Sequence, residues 1–351
     1  MRIHIIIFSL ALSCLAFAPP ATAYTLSNAN ASPATVELFN YLSTVYGKHC
    51  ISAFSGGGIH APGGFGDIYT TAGKHEAIVD NEFSDWWGSE VTTATMTSIA
   101  NAYQATRPIM TFQWHWMFEG DSAWAGQRKT QVNVGNVVTP GTQEYTDCIA
   151  ALSLVADDLQ VLKNANIPVL FRPLHEIDGG WFWWTDATTP AHTVALWQLI
   201  YNYMTVTRGL NNIIWVWSSG QSVPNAAFYP GSQYVDIVGS DPYGRNYQDD
   251  RDYFWQLWNA LTAIDNSKML TLAECGAIPN PDLMKSGVTP KWLYALPWFG
   301  IGPASQSQNT IANDLYNWRK YVHDYRGTIT EIQQWKRRES HPGGRHSLAV
   351  G

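Results

Sequence analysis

Two glutamates stand where apolar runs of this chain stop: Glu176 soon after Ile167-Pro-Val-Leu-Phe171, and Glu274 directly after Met269-Leu-Thr-Leu-Ala273. A glutamate so close to an apolar run is not the usual solvated charge, because Glu is almost never fully buried unless paired. Two such acids suit one reaction. Hydrolysing a glycoside with retention needs a carboxyl on each side of the anomeric carbon, about 5 to 5.5 Å apart, one as acid and one as nucleophile. The surroundings of Glu176 fit a sugar. Arg172, His175 and Asp178 supply polar groups, Gly179-Gly180 a turn, and Trp181-Phe-Trp-Trp184 an aromatic wall on which a pyranose can stack.

Something must bring together acids 98 residues apart. Short apolar, β-rich runs recur along the chain with longer helical intervals between them, the pattern of βα units and a parallel sheet. Candidate strands cover 49–54, 77–79, 108–113, 168–171, 213–217, 235–239, 269–273 and a short run before Pro297; helices are expected at 194–207 and 252–264. Eight strands predict an α/β fold, a single closed (β/α)₈ barrel of the TIM type, in which chemistry gathers at the strands' C-terminal ends. Polar or aromatic residues collect at those ends: Trp114, His115 and Trp116 after the third run, Ser218 and Ser219 after the fifth, Asp241, Pro242 and Tyr243 after the sixth. Three βα units of about 33 residues fill the interval between Glu176 and Glu274, so strands four and seven can face each other across the barrel mouth.

The segment Arg172-Pro-Leu-His-Glu-Ile-Asp-Gly-Gly-Trp-Phe-Trp-Trp184 closely resembles the acid/base segment of glycoside hydrolase family 26, the β-mannanases. Trp114-His115, Ser240-Asp-Pro-Tyr243 and Leu272-Ala-Glu274 are similar to that family too, in its order and spacing, and the likeness runs from about Tyr41 to Tyr325. The resemblance implies a retaining endo-β-1,4-mannanase with Glu176 as general acid/base and Glu274 as nucleophile, acting on mannan, glucomannan, galactomannan and manno-oligosaccharides. It also implies that Trp181 stacks on the leaving-group side and that Trp298 forms a platform under the ring being cleaved. Physical chemistry agrees with the division of roles. Glu176 must keep its proton near neutral pH, through desolvation by the indoles and the charge of Glu274. Glu274 must be ionised, with Tyr243, His175 and Arg172 as expected donors. His175 is expected to bond Glu274 or the sugar's 2-hydroxyl; His115 either touches sugar or makes a structural hydrogen bond. At least one of Trp183 and Trp184 belongs to the core, since a period-two run sends alternate rings to opposite faces. Asp178 could cap the turn that follows it.

Some relatives of this kind resemble β-1,3-xylanases or mixed-linkage glucanases, which share the mechanism and differ in substrate. A non-catalytic carbohydrate-binding protein is the reading from another class. Indoles alone would serve a binder, which has no need of two matched acids.

Composition sets the remaining expectations. Residues 1–23 read as a signal peptide, with Arg2, an apolar stretch too short to span a bilayer and Ala21-Thr-Ala23 as cleavage site, so the protein is expected to be secreted. Losing them moves the formal charge from −7 to −8, since only Arg2 goes. Mild acidity argues against nucleic acid or an anionic membrane as partner. Charged residues make up only 14% of the chain against 13% aromatics, so most of the 17 indoles must be buried or bind a flat apolar face. No linker or repeat divides the rest, which predicts one catalytic domain over 24–325, acting as a monomer, with a frayed basic tail at 326–351. Cys50, Cys148 and Cys275 allow one bridge and a thiol, or three buried thiols. The mechanism needs no cofactor. No His or Cys spacing suits a metal, and Gly56-Gly-Gly58 lacks the lysine of a phosphate loop.

Overall fold

The computed structural model describes residues 24–55, 76–83, 92–118, 132–220, 223–243, 251–276 and 279–298. The leader, Gly56–Gly58 and the tail lie outside the described residues.

Eight parallel strands pair in chain order and close on themselves: β1 Ile51–Phe54, β2 Ile78–Glu82, β3 Ile109–Gln113, β4 Val169–Arg172, β5 Ile213–Ser219, β6 Ile237–Ser240, β7 Met269–Cys275 and β8 Tyr294–Pro297. Closure pairs Ile51 with Tyr294 and Ser52 with Ala295. The chain is thus a single (β/α)₈ barrel, as the spacing of the apolar runs predicts. Every strand residue except Glu82 is buried, as expected for parallel strands covered on both faces.

Helices α2 Thr93–Thr106, α3 Val134–Val137, α4 Gln143–Asn164, α5 Pro190–Asn202, α6 Arg251–Ile264 and α7 Pro281–Ser286 stand between strands. The helix expected at 194–207 is α5 followed by a single π-turn, Tyr203–Thr207. Ahead of β1, helix α1 Pro33–Val45 starts on the Ser32 hydroxyl, which accepts the Thr35 N–H, with Pro33 fixing the first turn. Its Leu38, Phe39 and Leu42 share a core with Ile78, Ile109, Leu170, Ile214, Ile237 and Met269. The neighbours of those strand residues, Val169, Phe171, Ile213, Trp215 and Leu270, belong to a second core with the outer helices. Period-two alternation therefore sorts the strands into an inner layer against α1 and an outer layer under the helical ring.

That alternation aims the site. Leu170 faces inward, so Arg172, two residues on, does as well. On β7 the alternation breaks: Met269 and Ala273 belong to the inner core, Leu270, Leu272 and Cys275 to the outer one. The β7–β8 register shifts between Leu272 and Cys275, so Ala273 and Glu274 both escape the outer layer. A bulge at a strand end commonly re-aims a side chain in this way. All three cysteines are free and buried, which selects three thiols over a bridge.

Candidate active site

Glu176 sits in the loop after β4 with φ +50°, a left-handed conformation that is uncommon for any residue with a Cβ. Its loop is tied down on both sides, by Ile177 N–H to Ser218 O at 3.1 Å and Gly179 N–H to Glu176 O at 2.8 Å. The Trp181 indole N–H donates to Glu176 Oε2 at 2.5 Å. Gly220 makes this pairing sterically feasible: a Cβ there would stand 2.7 Å from both Glu176 Cβ and Trp181 Cζ2. Glu176 keeps an edge toward solvent while protein crowds its carboxyl. Burial, followed by the charges of Glu274 and Asp241, holds its pKa well above the ordinary carboxylate range.

Glu274 is buried, and both of its oxygens are taken. Arg172 Nη2 donates to Oε1 and the Tyr243 hydroxyl to Oε2, each at 2.5 Å. Asp241 completes the frame. Its Oδ2 accepts from Arg172 Nη1 at 2.6 Å and its Oδ1 from the Glu274 backbone N–H at 3.0 Å. Arg172 Nη2 also bonds Gln113 Oε1 at the end of β3. One guanidinium therefore spans β3, β6 and β7.

One oxygen from each of Glu176, Asp241 and Glu274 lies within 4.8 Å of the others. This is the reach of a pair of acids that share one anomeric carbon. Among the described residues it is also the one cluster of His, Cys, Asp or Glu close enough to hold an ion, and Arg172 already fills the cationic place beside Asp241 and Glu274.

Charge balance sets the protonation. Asp80, inside β2, is buried with Oδ1 unpaired, and desolvation raises its pKa well above normal. Burial pushes Asp241 up to about 8 in spite of the guanidinium beside it. A single Arg172 cannot hold four buried carboxyls ionised. Glu176, whose carboxyl is raised by burial and by its acidic neighbours, is placed to keep a proton, while Arg172 and Tyr243 both donate to Glu274.

Of the donors expected on Glu274, Tyr243 and Arg172 are in place and His175 is not. Its Nε2 faces His115 Nε2 at 3.2 Å, its Nδ1 has no partner among the described residues, and burial holds the ring neutral. The physical reason is packing: the imidazole lies among the rings of His115, Phe182 and Trp184, with centroids 4.4, 4.8 and 5.5 Å away, and its one printed polar contact is with His115. His115 makes a structural bond, Nδ1 lying 2.6 Å from Glu82 Oε2. Trp181 is 43% exposed and offers a ring face beside Glu176. Trp298 is buried, with its ring centroid 6.0 Å from that of His115. Trp183 and Trp184 are both core, their N–H groups donating to Trp116 O and His175 O. Asp178 accepts from the Ser219 hydroxyl and the N–H groups of Gly220 and Asn225, joining the loops after β4 and β5.

Sequence reasoning placed Asp241 on the rim without a role and missed Gln113, Asp80, Glu82 and Gly220. The available signal was a polar residue at or inside an apolar run, as in Ile78-Val-Asp-Asn-Glu82.

A family profile, Glycosyl hydrolase family 26, matches residues 27–325. The chain belongs to that family. The chain is similar to the mannan endo-1,4-beta-mannosidase of Thermothelomyces thermophilus, 30% identical over 89% of this chain and 64% of that protein. Mannan endo-1,4-beta-mannosidase B of a Piromyces species is 33% identical over 73% of this chain and 45% of its own. The chain thus spans less than two thirds of either relative. Among solved structures, the Podospora anserina GH26-CBM35 β-(1,4)-mannanase superposes with TM-score 0.75 at 30% identity, covering 91% of this chain and 71% of that one. A β-mannanase from a symbiotic protist of the termite Reticulitermes speratus, complexed with gluco-manno-oligosaccharide, gives 0.71 at 28% identity, covering 85% and 94%.

Proposed function

We propose that this chain is a secreted, monomeric, retaining endo-β-1,4-mannanase that cleaves internal bonds of mannan, glucomannan or galactomannan, with Glu176 as general acid/base and Glu274 as nucleophile. The observation that carries the reading is the approach of the two carboxyls to within 4.8 Å at the C-terminal mouth of the barrel. An oxygen–oxygen approach this short suits direct attack on the anomeric carbon and favours the retaining spacing of about 5 to 5.5 Å over the roughly 6.5 to 9.5 Å of an inverting enzyme.

Glu176 gives its proton to the glycosidic oxygen while Glu274 attacks the anomeric carbon, and a covalent glycosyl-enzyme forms. Esterification removes the charge of Glu274, one of the causes that raise the pKa of Glu176. Glu176 then becomes a stronger acid, and its carboxylate draws a proton from the water that releases the sugar. Arg172 and Tyr243 hold the Glu274 carboxylate in line for the attack. The mannan preference is supported by the names of the relatives and by the gluco-manno-oligosaccharide bound to the protist enzyme. Export is supported by the leader-like residues 1–23.

Reducing-sugar release from mannan, β-1,3-xylan and mixed-linkage glucan, assayed side by side, tests the reading. Mannan should be the preferred substrate, and Glu176→Gln and Glu274→Gln should each lose most activity with the fold intact. Faster release from xylan or glucan, or near wild-type rates in either variant, would overturn it.

A further inference from the structure

Outside the carboxyl cluster, one line of polar contacts reaches the loop that carries Glu176. It begins at Glu82, the last residue of β2, passes through His115 after β3 and ends at His175 after β4. Glu82 Oε1 accepts two backbone N–H groups, from Phe83 at 3.2 Å and His115 at 2.8 Å. Its Oε2 lies 2.6 Å from His115 Nδ1, and His115 Nε2 faces His175 Nε2 at 3.2 Å.

We propose that Glu82 is a positioning residue that fixes the tautomers of both histidines, so that at their facing Nε2 atoms His115 presents a lone pair and His175 an N–H. A carboxylate offers only lone pairs, so His115 Nδ1 must carry hydrogen. A neutral imidazole has one N–H, so His115 Nε2 is then bare and the hydrogen between the rings belongs to His175. His175 Nδ1 is left as an acceptor, and it is the nitrogen that is buried without a partner. Buried acceptors are left unsatisfied more readily than buried donors. Burial, the largest cause, keeps His175 neutral, which agrees with one hydrogen on that ring. The backbone that carries the ring is held as well, since Trp184 Nε1 donates to the His175 carbonyl at 3.1 Å. A hydroxyl entering between the rings would meet an N–H on one side and a lone pair on the other, in a fixed sense. The consequence for catalysis rests on the acid/base reading of Glu176, the next residue in the chain.

Glu82→Gln tests this without removing the contact. The two backbone N–H groups pin the amide oxygen at the Oε1 position, so the NH₂ must face His115 Nδ1. Both tautomers should then invert. Imidazole ¹⁵N–¹H correlation spectra at mildly alkaline pH should show His115 Nδ1–H and His175 Nε2–H in the wild type, and His115 Nε2–H and His175 Nδ1–H in the variant. On a β-1,4-linked manno-oligosaccharide, kcat/KM of the variant should fall by about tenfold at an unchanged melting temperature. Wild-type spectra with any other tautomer pair, or spectra unaltered by the substitution, would overturn the proposal. The wild-type spectrum alone decides it if the variant fails to fold. The tautomers are read without substrate, so a failure of the mannanase reading would not be mistaken for a failure of this one.

Discussion

Tyr243 and Glu274 meet at 2.5 Å, the phenol hydroxyl donating to Oε2 of the carboxylate. Arg172 holds the other oxygen, so the acid is gripped from two sides, by the end of β4 and by the loop after β6. A nucleophile needs this: its charge is stabilised by donors and its lone pair is kept on one line.

Tyr243→Phe removes one donor and keeps the ring. A hydrogen bond to a charged group contributes about 1.5 to 3 kcal/mol, so kcat/KM should fall roughly ten- to hundredfold. Steady-state kinetics with a melting curve checks this; unchanged kinetics would mean that the phenol has no part in orienting Glu274.

Trp181→Phe addresses the proton on Glu176. The indole N–H stabilises the ionised carboxylate and so lowers the pKa of Glu176 against the larger effect of burial. Without it the pKa rises. The reaction requires the protonated form, so the alkaline limb of kcat/KM against pH should move to higher pH, together with a higher KM from the lost indole face. A limb that stays put or moves toward acid would contradict the assignment.

Gly220→Ala brings a Cβ to within 2.7 Å of Glu176 Cβ and of the Trp181 ring, with no backbone strain of its own. Glu176 must move. A misplacement of about 1 Å can cost on the order of a hundredfold in rate, so kcat should collapse while the melting temperature changes little. A variant with wild-type kcat would show that the loop has slack that its contacts do not suggest.

Glu76 lies at the opposite end of β2 from the mouth, buried, with Oε2 unpaired. Burial pushes its pKa from 4.5 up to about 8. The folded protein therefore binds a proton that the unfolded chain has released. Its contribution is most favourable below 4.5 and is lost as pH climbs to about 8, at roughly 1.4 kcal/mol per pH unit. In Glu76→Gln this component is absent, so stability should fall less steeply over that range with kcat unaltered. Denaturant midpoints at several pH values are the check, and parallel curves for the two proteins would refute it.

The barrel was legible because its strands are apolar on both faces and short, so each shows as a run bounded by polar residues. The second run was placed at 77–79, short of the end of β2, because Asp80, Asn81 and Glu82 break its apolar pattern. Glu176 and Glu274 stood out for the same reason as the strands. What could not be read is how they are aimed. The shift in β7 that carries Glu274 out of the outer layer has no sequence marker, and the Arg172–Asp241 bond joins residues 69 apart. His175 was expected on Glu274, but its contact lies with His115, 60 residues away and on the other side of β4. Trp183 and Trp184 are both core because they sit in a compact turn, where strand alternation does not apply.

The central claim is that Glu274 becomes covalently bonded to the sugar. Incubation with an activated 2-deoxy-2-fluoro β-manno-oligosaccharide, followed by peptide mass spectrometry, measures this directly. The account predicts time-dependent inactivation and one glycosyl adduct, on the peptide that contains Glu274. An adduct on Glu176 or elsewhere, or rapid turnover of unlabelled enzyme with inverted product, would contradict it.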